Sequence, residues 1–171
     1  MTRAGAALAA ALVVLPGQAR PPDVYFATSR QAVADAMLVL AQVGTSDVVY
    51  DLGSGDGRIV ILAAQKYRAR AVGVEINPAL VALSRQLAEE GGVADRVTFV
   101  EGDMFTADLT PATVVTLYLS ATTNADLESK LRRELRTGAR VVSQQFSMPS
   151  SWTPDRTATA LGQALFLWTI P

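Results

Sequence analysis

"VVYDLGSGDGRIVI", residues 48–61, joins two apolar runs through an acid and three glycines at alternate positions. Asp47–Leu52 reads as a buried strand and Gly57–Tyr67 as a helix. Gly53, Gly55 and Gly57 therefore stand where the chain turns from strand to helix. Without a Cβ, glycine reaches positive φ and lets a ligand lie against the main chain. The loop also runs into a helix N-terminus, whose free N–H groups favour an anionic group. A glycine turn that only packs a strand on a helix is the plainer alternative.

Working outward, strands and helices alternate. Thr28 or Ser29 can cap a helix over Arg30–Val43, with Thr28-x-x-Gln31 at capping-box spacing and Val33, Met37 and Leu40 on one face. Ala71–Ile76 reads as a second strand. Asn77 then caps a helix with Pro78 at its first position and Leu80, Leu83 and Leu87 aligned; Gly91-Gly92 stops it. Arg96–Glu101 and Ala112–Leu119 are a third and fourth strand. A helix over Asn124–Arg136 turns Leu127, Leu131 and Leu135 inward and leaves Glu128 and Arg132 as an outer i,i+4 pair. Gly138 ends it. Ala139–Gln144 and Ala164–Ile170 complete a count of six strands. Strands separated by helices imply parallel pairing, hence an α/β, doubly wound, mostly parallel sheet. Such sheets bind ligands outside the carboxyl ends of their strands. The residues to inspect are then Asp51–Arg58, Glu75–Asn77, Asp103–Phe105, Tyr118–Asn124 and Gln144–Trp152.

Composition narrows the chemistry. The chain has 171 residues, half of them hydrophobic, with no histidine and no cysteine. Thiol nucleophiles, disulfides, structural zinc and imidazole bases are excluded, and no metal site is expected. The formal net charge of −1 supplies no basic field for nucleic acid, so none is expected as a partner. Residues 1–22 form a separate leader, with 23–171 as the folded domain. Ala4–Leu15 is apolar but shorter than the roughly 20 residues a spanning helix needs. It resembles the apolar core of a secretory signal, with Gly17-Gln18-Ala19 as a weak cleavage site, and also suits a membrane tether.

The loop is neither of two familiar nucleotide cradles. A dinucleotide fingerprint G-x-G-x-x-G counted from Gly53 needs glycine at Arg58, and counted from Gly55 needs it at Val60. No Gly-Lys-Ser/Thr follows, so the phosphate loop of NTPases fails too. What stands is Asp51-x-Gly53-Ser54-Gly55-x-Gly57. It resembles the first motif of the class I, seven-strand S-adenosylmethionine (SAM) dependent methyltransferases, which have a Rossmann-like fold. Glu75 ends the second strand 24 positions after Asp51, and Asp103 follows the third in "VEGDMF". Three acids in register with three successive strands make a joint signal. The resemblance implies SAM as cofactor. Asp51 and the loop would hold its methionine end, Glu75 its ribose hydroxyls, Asp103 and the Met104 N–H its adenine edge, and Ile76 its adenine face.

A narrower resemblance comes from "VTLYLS…TN", "KLRRELRTGARVVSQQFSM" and "WTPD". These are similar to the mitochondrial ATP synthase c-subunit lysine methyltransferase family and its bacterial relatives. The implied activity is protein-lysine N-methylation, with a protein carrying a target lysine as partner. The Asn/Asp-Pro-Pro-Tyr motif of base-nitrogen and glutamine methylases does not occur in Thr116–Asn124. Two departures stand out: Ser120 occupies a position where relatives often have proline, and the chain ends soon after the sixth strand. The seventh is then missing or supplied by another segment. A small-molecule methyltransferase and a non-catalytic SAM-binding subunit are the competing readings. Tyr118 and Trp152 are the acceptor-site candidates, with Tyr25 and Phe146 as further aromatics; Phe146 is expected in the core. Asp155 can serve the site or cap a turn. Since SAM is made in the cytoplasm, cytoplasmic action is expected, with weak membrane association through residues 4–15.

Overall fold

The computed structural model of the chain describes residues 30–171. The leader, the Thr28 or Ser29 cap and Tyr25 lie outside the described residues. Four helices and seven strands follow in the order α1 (Gln31–Leu40), β1 (Val48–Leu52), α2 (Arg58–Tyr67), β2 (Arg70–Glu75), α3 (Pro78–Glu90), β3 (Val97–Glu101), β4 (Val114–Leu117), α4 (Ala121–Glu134), β5 (Arg140–Gln144), β6 (Arg156–Ala160) and β7 (Gln163–Thr169).

All seven strands form one sheet in the order β3-β2-β1-β4-β5-β7-β6. The first five are parallel; β7 runs antiparallel to β5, and β6 antiparallel to β7. From β1 the chain first builds outward through β2 to β3, then returns to the other side of β1 with β4 and continues to β5. The order reverses between β1 and β4, which is where a doubly wound sheet opens a crevice for ligands.

Each face of the sheet carries its own core. On one, α1, α2 and α3 pack through Val33, Met37, Leu38, Val60, Ala63 and Val81 onto Val49, Val114 and Val142. On the other, Leu127 and Leu131 of α4 and Leu135 at its C-cap pack onto Val115, Val141 and Trp168. Neighbours such as Val114 and Val115, or Val141 and Val142, go to opposite cores because successive strand side chains alternate faces. These short strands are buried on both sides, which is why they read as continuous apolar runs.

Three sequence expectations change. The described residues form seven strands instead of six, and the strand that was missed is β6, "RTATA". As an edge strand it exposes nearly every residue, so no apolar alternation marks it. Its hairpin to β7 turns on Leu161 (φ 48°) and Gly162 (φ 78°), both left-handed. Two-residue loops of that kind favour Asn-Gly or Gly-Gly, and Leu-Gly gives no such signal. In α3 the buried face is Val81, Ser84 and Ala88, while Leu83 is exposed. The small face wins because α3 approaches the glycine loop closely through Ser84. Helix α4 begins at Ala121 rather than Asn124, capped by Ser120, whose Oγ accepts the Thr123 N–H at 3.1 Å. Asn77 caps α3 as expected, with Oδ1 accepting the Ala79 N–H at 3.0 Å.

Candidate active site

The carboxyl ends of β1 to β5 carry the candidate site. Its floor is the glycine loop, anchored on β2 where the Gly53 and Ser54 N–H groups donate to the Val74 carbonyl at 2.9 and 3.0 Å. All three loop glycines take positive φ: 75° at Gly53, 55° at Gly55 and 77° at Gly57. Their duties differ. Gly53 is exposed, and a Cβ there would stand 3.0 Å from Leu119 Cδ2. Gly55 is buried, its N–H donating to Glu75 Oε2 at 3.0 Å and its carbonyl accepting Ser84 Oγ at 3.0 Å. At Gly57 a Cβ would come within 2.5 Å of Phe99 Cε1. Gly57 therefore lets α2 close on β3, and only the front of the loop is bare main chain. Gly57 is the N-cap of α2 and offers no side-chain cap, so the first turn's N–H groups are left to other partners.

Ser54 belongs to the loop through its backbone alone. Its Oγ is buried, would lie 2.6 Å from a Cβ at Gly73, and has no hydrogen-bond partner among the described residues. The hydroxyl lies against β2 and not on the exposed side of the loop.

The carboxylates stand at the ends of successive strands, as the sequence suggested. Asp51 is buried, and its Oδ1 accepts Thr116 Oγ1 at 2.7 Å. Burial pushes its carboxyl up to about 7; the Thr116 bond works against this, and the Glu75 and Asp56 charges add to it. Glu75 is buried at the end of β2. Its Oε2 takes the Gly55 N–H and its Oε1 takes the Asn77 N–H at 2.9 Å. A carboxylate has about four acceptor sites, so each oxygen keeps capacity for a hydroxyl. Asp103 is half-buried, with Oδ1 accepting the Phe105 N–H at 2.9 Å. Met104 packs on the α4-side core, and Ile76 is half-buried at the rim. Asp56 pairs with Arg58, whose Nε donates to Oδ1 at 2.9 Å.

A crevice with bare main chain at a helix start, a strand-end carboxylate with spare acceptor sites and a costly buried acid suits a ligand of mixed charge. A carboxylate fits the N–H groups, hydroxyls fit Glu75, and a cation relieves Asp51. SAM carries all three, so the residues fit it. Among the described residues no group of three or more His, Cys, Asp or Glu is placed to hold a metal ion.

The sequence placed the methyl acceptor beside residues that follow β4 and β5. Tyr118 follows β4 directly and is half-buried at the carboxyl edge. Trp152 does not belong there. It is 7% exposed, tilted on Trp168 at 5.8 Å between ring centroids, with the Arg132 guanidinium 4.2 Å above its ring. Arg132 is in the last turn of α4, and Trp168 pairs with Val141 near the start of β5. Trp152 is thus a core residue toward the amino-terminal edge of the strands, away from the crevice. Asp155 is structural too: its Oδ2 accepts the Thr169 N–H at 2.6 Å and its own N–H donates to the Leu167 carbonyl. Phe146 reverses its expectation, being half-buried and, among the described residues, packed on neither core. Thr116, Ser84 and Ser143 were missed as site supports. Each is a polar residue on a buried face, a signal visible in "VVTL", α3 and "RVVSQ".

Residues 51–156 match the family model described as the ANTKMT methyltransferase domain. A protein-lysine N-methyltransferase of Saccharolobus islandicus is 42% identical over 134 residues, covering 78% of this chain and 83% of that protein. The mouse adenine nucleotide translocase lysine N-methyltransferase is 37% identical across 84% of this chain, which spans 63% of its length. A solved structure described as an RNA methyltransferase from Salinibacter ruber, in complex with S-adenosyl-L-homocysteine, superposes with a TM-score of 0.83. It is 51% identical and covers 85% of this chain and 94% of its own.

Proposed function

The chain belongs to the ANTKMT methyltransferase-domain family, and from that premise we propose that this SAM-dependent methyltransferase modifies a lysine amine of a protein substrate. The observation that carries the reading is the joint one: a crevice fitted to SAM by Gly53, Gly55, Glu75 and Asp51, in a chain similar to lysine methyltransferases of an archaeon and of mouse.

Bound in the crevice, SAM supplies a methyl group on a cationic sulfur, with the neutral thioether as leaving product. The chain's own work is alignment and exclusion of water, which together can contribute about 7–11 kcal/mol. Gly53 and the start of α2 receive the methionine carboxylate, and Asp51 in its ionised form balances the positive end. Glu75 holds the ribose while its two backbone N–H donors keep its oxygens in place. Tyr118 walls the acceptor side. A lysine must lose a proton before it attacks, at a cost of about 4.6 kcal/mol at pH 7 from a reference pKa near 10.4. An apolar, half-buried approach beside Tyr118 and Phe146 lowers that pKa and recovers part of the cost.

An RNA acceptor is the second reading, favoured by the description of the Salinibacter ruber structure. The net charge of −1 gives it no electrostatic support. Incubation with methyl-labelled SAM and cell extract, followed by protease or ribonuclease, separates the two. Protease-sensitive label recovered as methyl-lysine by mass spectrometry is expected; ribonuclease-sensitive label would replace the lysine reading. Tyr118→Ala should cut turnover while leaving SAM affinity intact.

A further inference from the structure

Beyond β5 the backbone makes a turn that needs outside support. The Phe146 N–H donates to the Gln144 carbonyl at 2.8 Å, closing a three-residue γ-turn on Gln145. Gln145 takes φ 68°. A γ-turn with a left-handed central residue is the rare and strained form, and Gln145 lacks glycine's freedom. Strain of this kind costs about 1–3 kcal/mol and persists only where surrounding structure enforces it.

The enforcement is visible. Two donors converge on the Phe146 carbonyl: Ser143 Oγ at 2.6 Å and Asn124 Nδ2 at 2.9 Å. Asn124 Nδ2 also donates to Ser143 Oγ at 3.1 Å, so the hydroxyl accepts from Asn124 and passes its own hydrogen on to Phe146. From the other side, the Gln145 N–H donates to the Ala164 carbonyl at 2.7 Å. Asn124 sits one turn into α4, fully buried, while its Oδ1 has no partner among the described residues. An unpaired buried carbonyl costs about 1–3 kcal/mol. An apolar residue would fill that helix position without the cost.

Packing gives no reason to accept it, because the Phe146 side chain joins neither core. Location does. Leu117 pairs with Ser143, so Tyr118 and Gln144 come next to each other where β4 and β5 leave the sheet. Asn124 stands on the segment after β4 and holds the segment after β5, binding together the two pieces of chain that flank Tyr118.

We propose that Asn124 is a positioning residue for the methyl acceptor: through Ser143 and the Phe146 carbonyl it holds the strained Gln144–Phe146 turn against Tyr118, forming the acceptor-side wall. This rests on the methyltransferase reading but not on the acceptor being lysine. The test uses the full chain with Asn124→Asp, which keeps the shape and replaces the two-donor amide with a carboxyl that donates at most one bond, Ser143→Ala, which removes the relay, and Phe146→Ala. Acceptor kinetics are read on whichever fraction of cell extract the wild-type chain labels from methyl-labelled SAM: protein, RNA or small solutes. Label outside protein would sink the lysine proposal and leave this one open to the same variants. Expected are at least a tenfold loss in acceptor kcat/KM for Asn124→Asp, a smaller loss for Ser143→Ala, and S-adenosylhomocysteine affinity within twofold of wild type for both. Asn124→Asp combined with Phe146→Ala should lose little more than either alone. Hydrogen exchange should accelerate over residues 144–149. Unchanged acceptor kinetics in a folded Asn124→Asp protein, strictly additive losses with Phe146→Ala, or equal losses in cofactor and acceptor binding would overturn it. Should Asn124→Asp fail to fold, Ser143→Ala decides by the same readings.

Discussion

The two halves of the carboxyl edge are built differently. On the β1–β2–β3 side, backbone does the work: N–H groups of Gly55 and Asn77 meet Glu75, and Gly53 leaves the main chain bare. On the β4–β5 side, side chains do it: Ser120 caps α4, while Asn124 and Ser143 hold a strained turn. Backbone recognition suits a ligand that never changes, since it tolerates few residue types and fixes their spacing. Side-chain networks can be re-specified one residue at a time, as a variable acceptor demands.

Variants away from the edge set the scale. Trp152→Ala should cost about 3–5 kcal/mol of stability, because it empties a buried site against Trp168. Chemical denaturation measures this, and S-adenosylhomocysteine affinity in the folded fraction should stay near wild type. A selective loss of acceptor turnover would instead return Trp152 to the site. Gly57→Val follows, at about 2–4 kcal/mol, from overpacking on Phe99 combined with a left-handed φ. Its effect should be on folding, so a stable variant that merely lost cofactor would contradict the division of labour within the loop.

Glu75→Ala is the sharpest probe of the cofactor half. It should weaken SAM by about 1.5–3 kcal/mol, the scale of a hydrogen bond to a charged group, and loosen the loop by releasing the Gly55 and Asn77 N–H groups. Titration calorimetry reads the first effect, and wild-type affinity would remove Glu75 from the ribose.

A smaller effect is expected from pH. Asp51 in the free protein is pushed up to about 7, chiefly by burial. A cationic ligand binds the ionised form, so SAM affinity should rise from pH 6 to pH 8 by up to about tenfold, with proton release on binding. Asp51→Asn should flatten that slope. Without ligand the sign reverses. A carboxyl raised in the fold above its unfolded value stabilises the protein below about pH 4, and that contribution is lost as pH rises through about 7. Free protein should lose stability across this window, and a flat stability profile would show that Asp51 is solvated.

The glycine loop and the carboxylates beside it were legible because their constraints are local. Asp51, the three glycines and Glu75 lie within 25 residues and belong to one strand–helix–strand unit. The network beyond β4 and β5 was not, because its pieces meet only through the sheet: Asn124 reaches Ser143 and Phe146 from 19 and 22 residues away. Trp152 was misplaced for the same reason. Its position in sequence follows β5, but the chain doubles back and tucks it under Trp168. Strand β6 escaped because it is an exposed edge strand whose Thr/Ala alternation holds no large apolar residue to mark a buried face. The leucines of α3 misled because close approach to the glycine loop selects small residues over large ones.

The most direct test of the cofactor crevice is calorimetric titration of S-adenosylhomocysteine into the wild-type chain and into Gly53→Val, where a side chain would enter the one exposed stretch of the loop beside Leu119. One site per wild-type chain and at least a tenfold loss of affinity in a folded Gly53→Val protein are predicted. Absence of binding to the wild type, or equal affinity for both, would contradict the account.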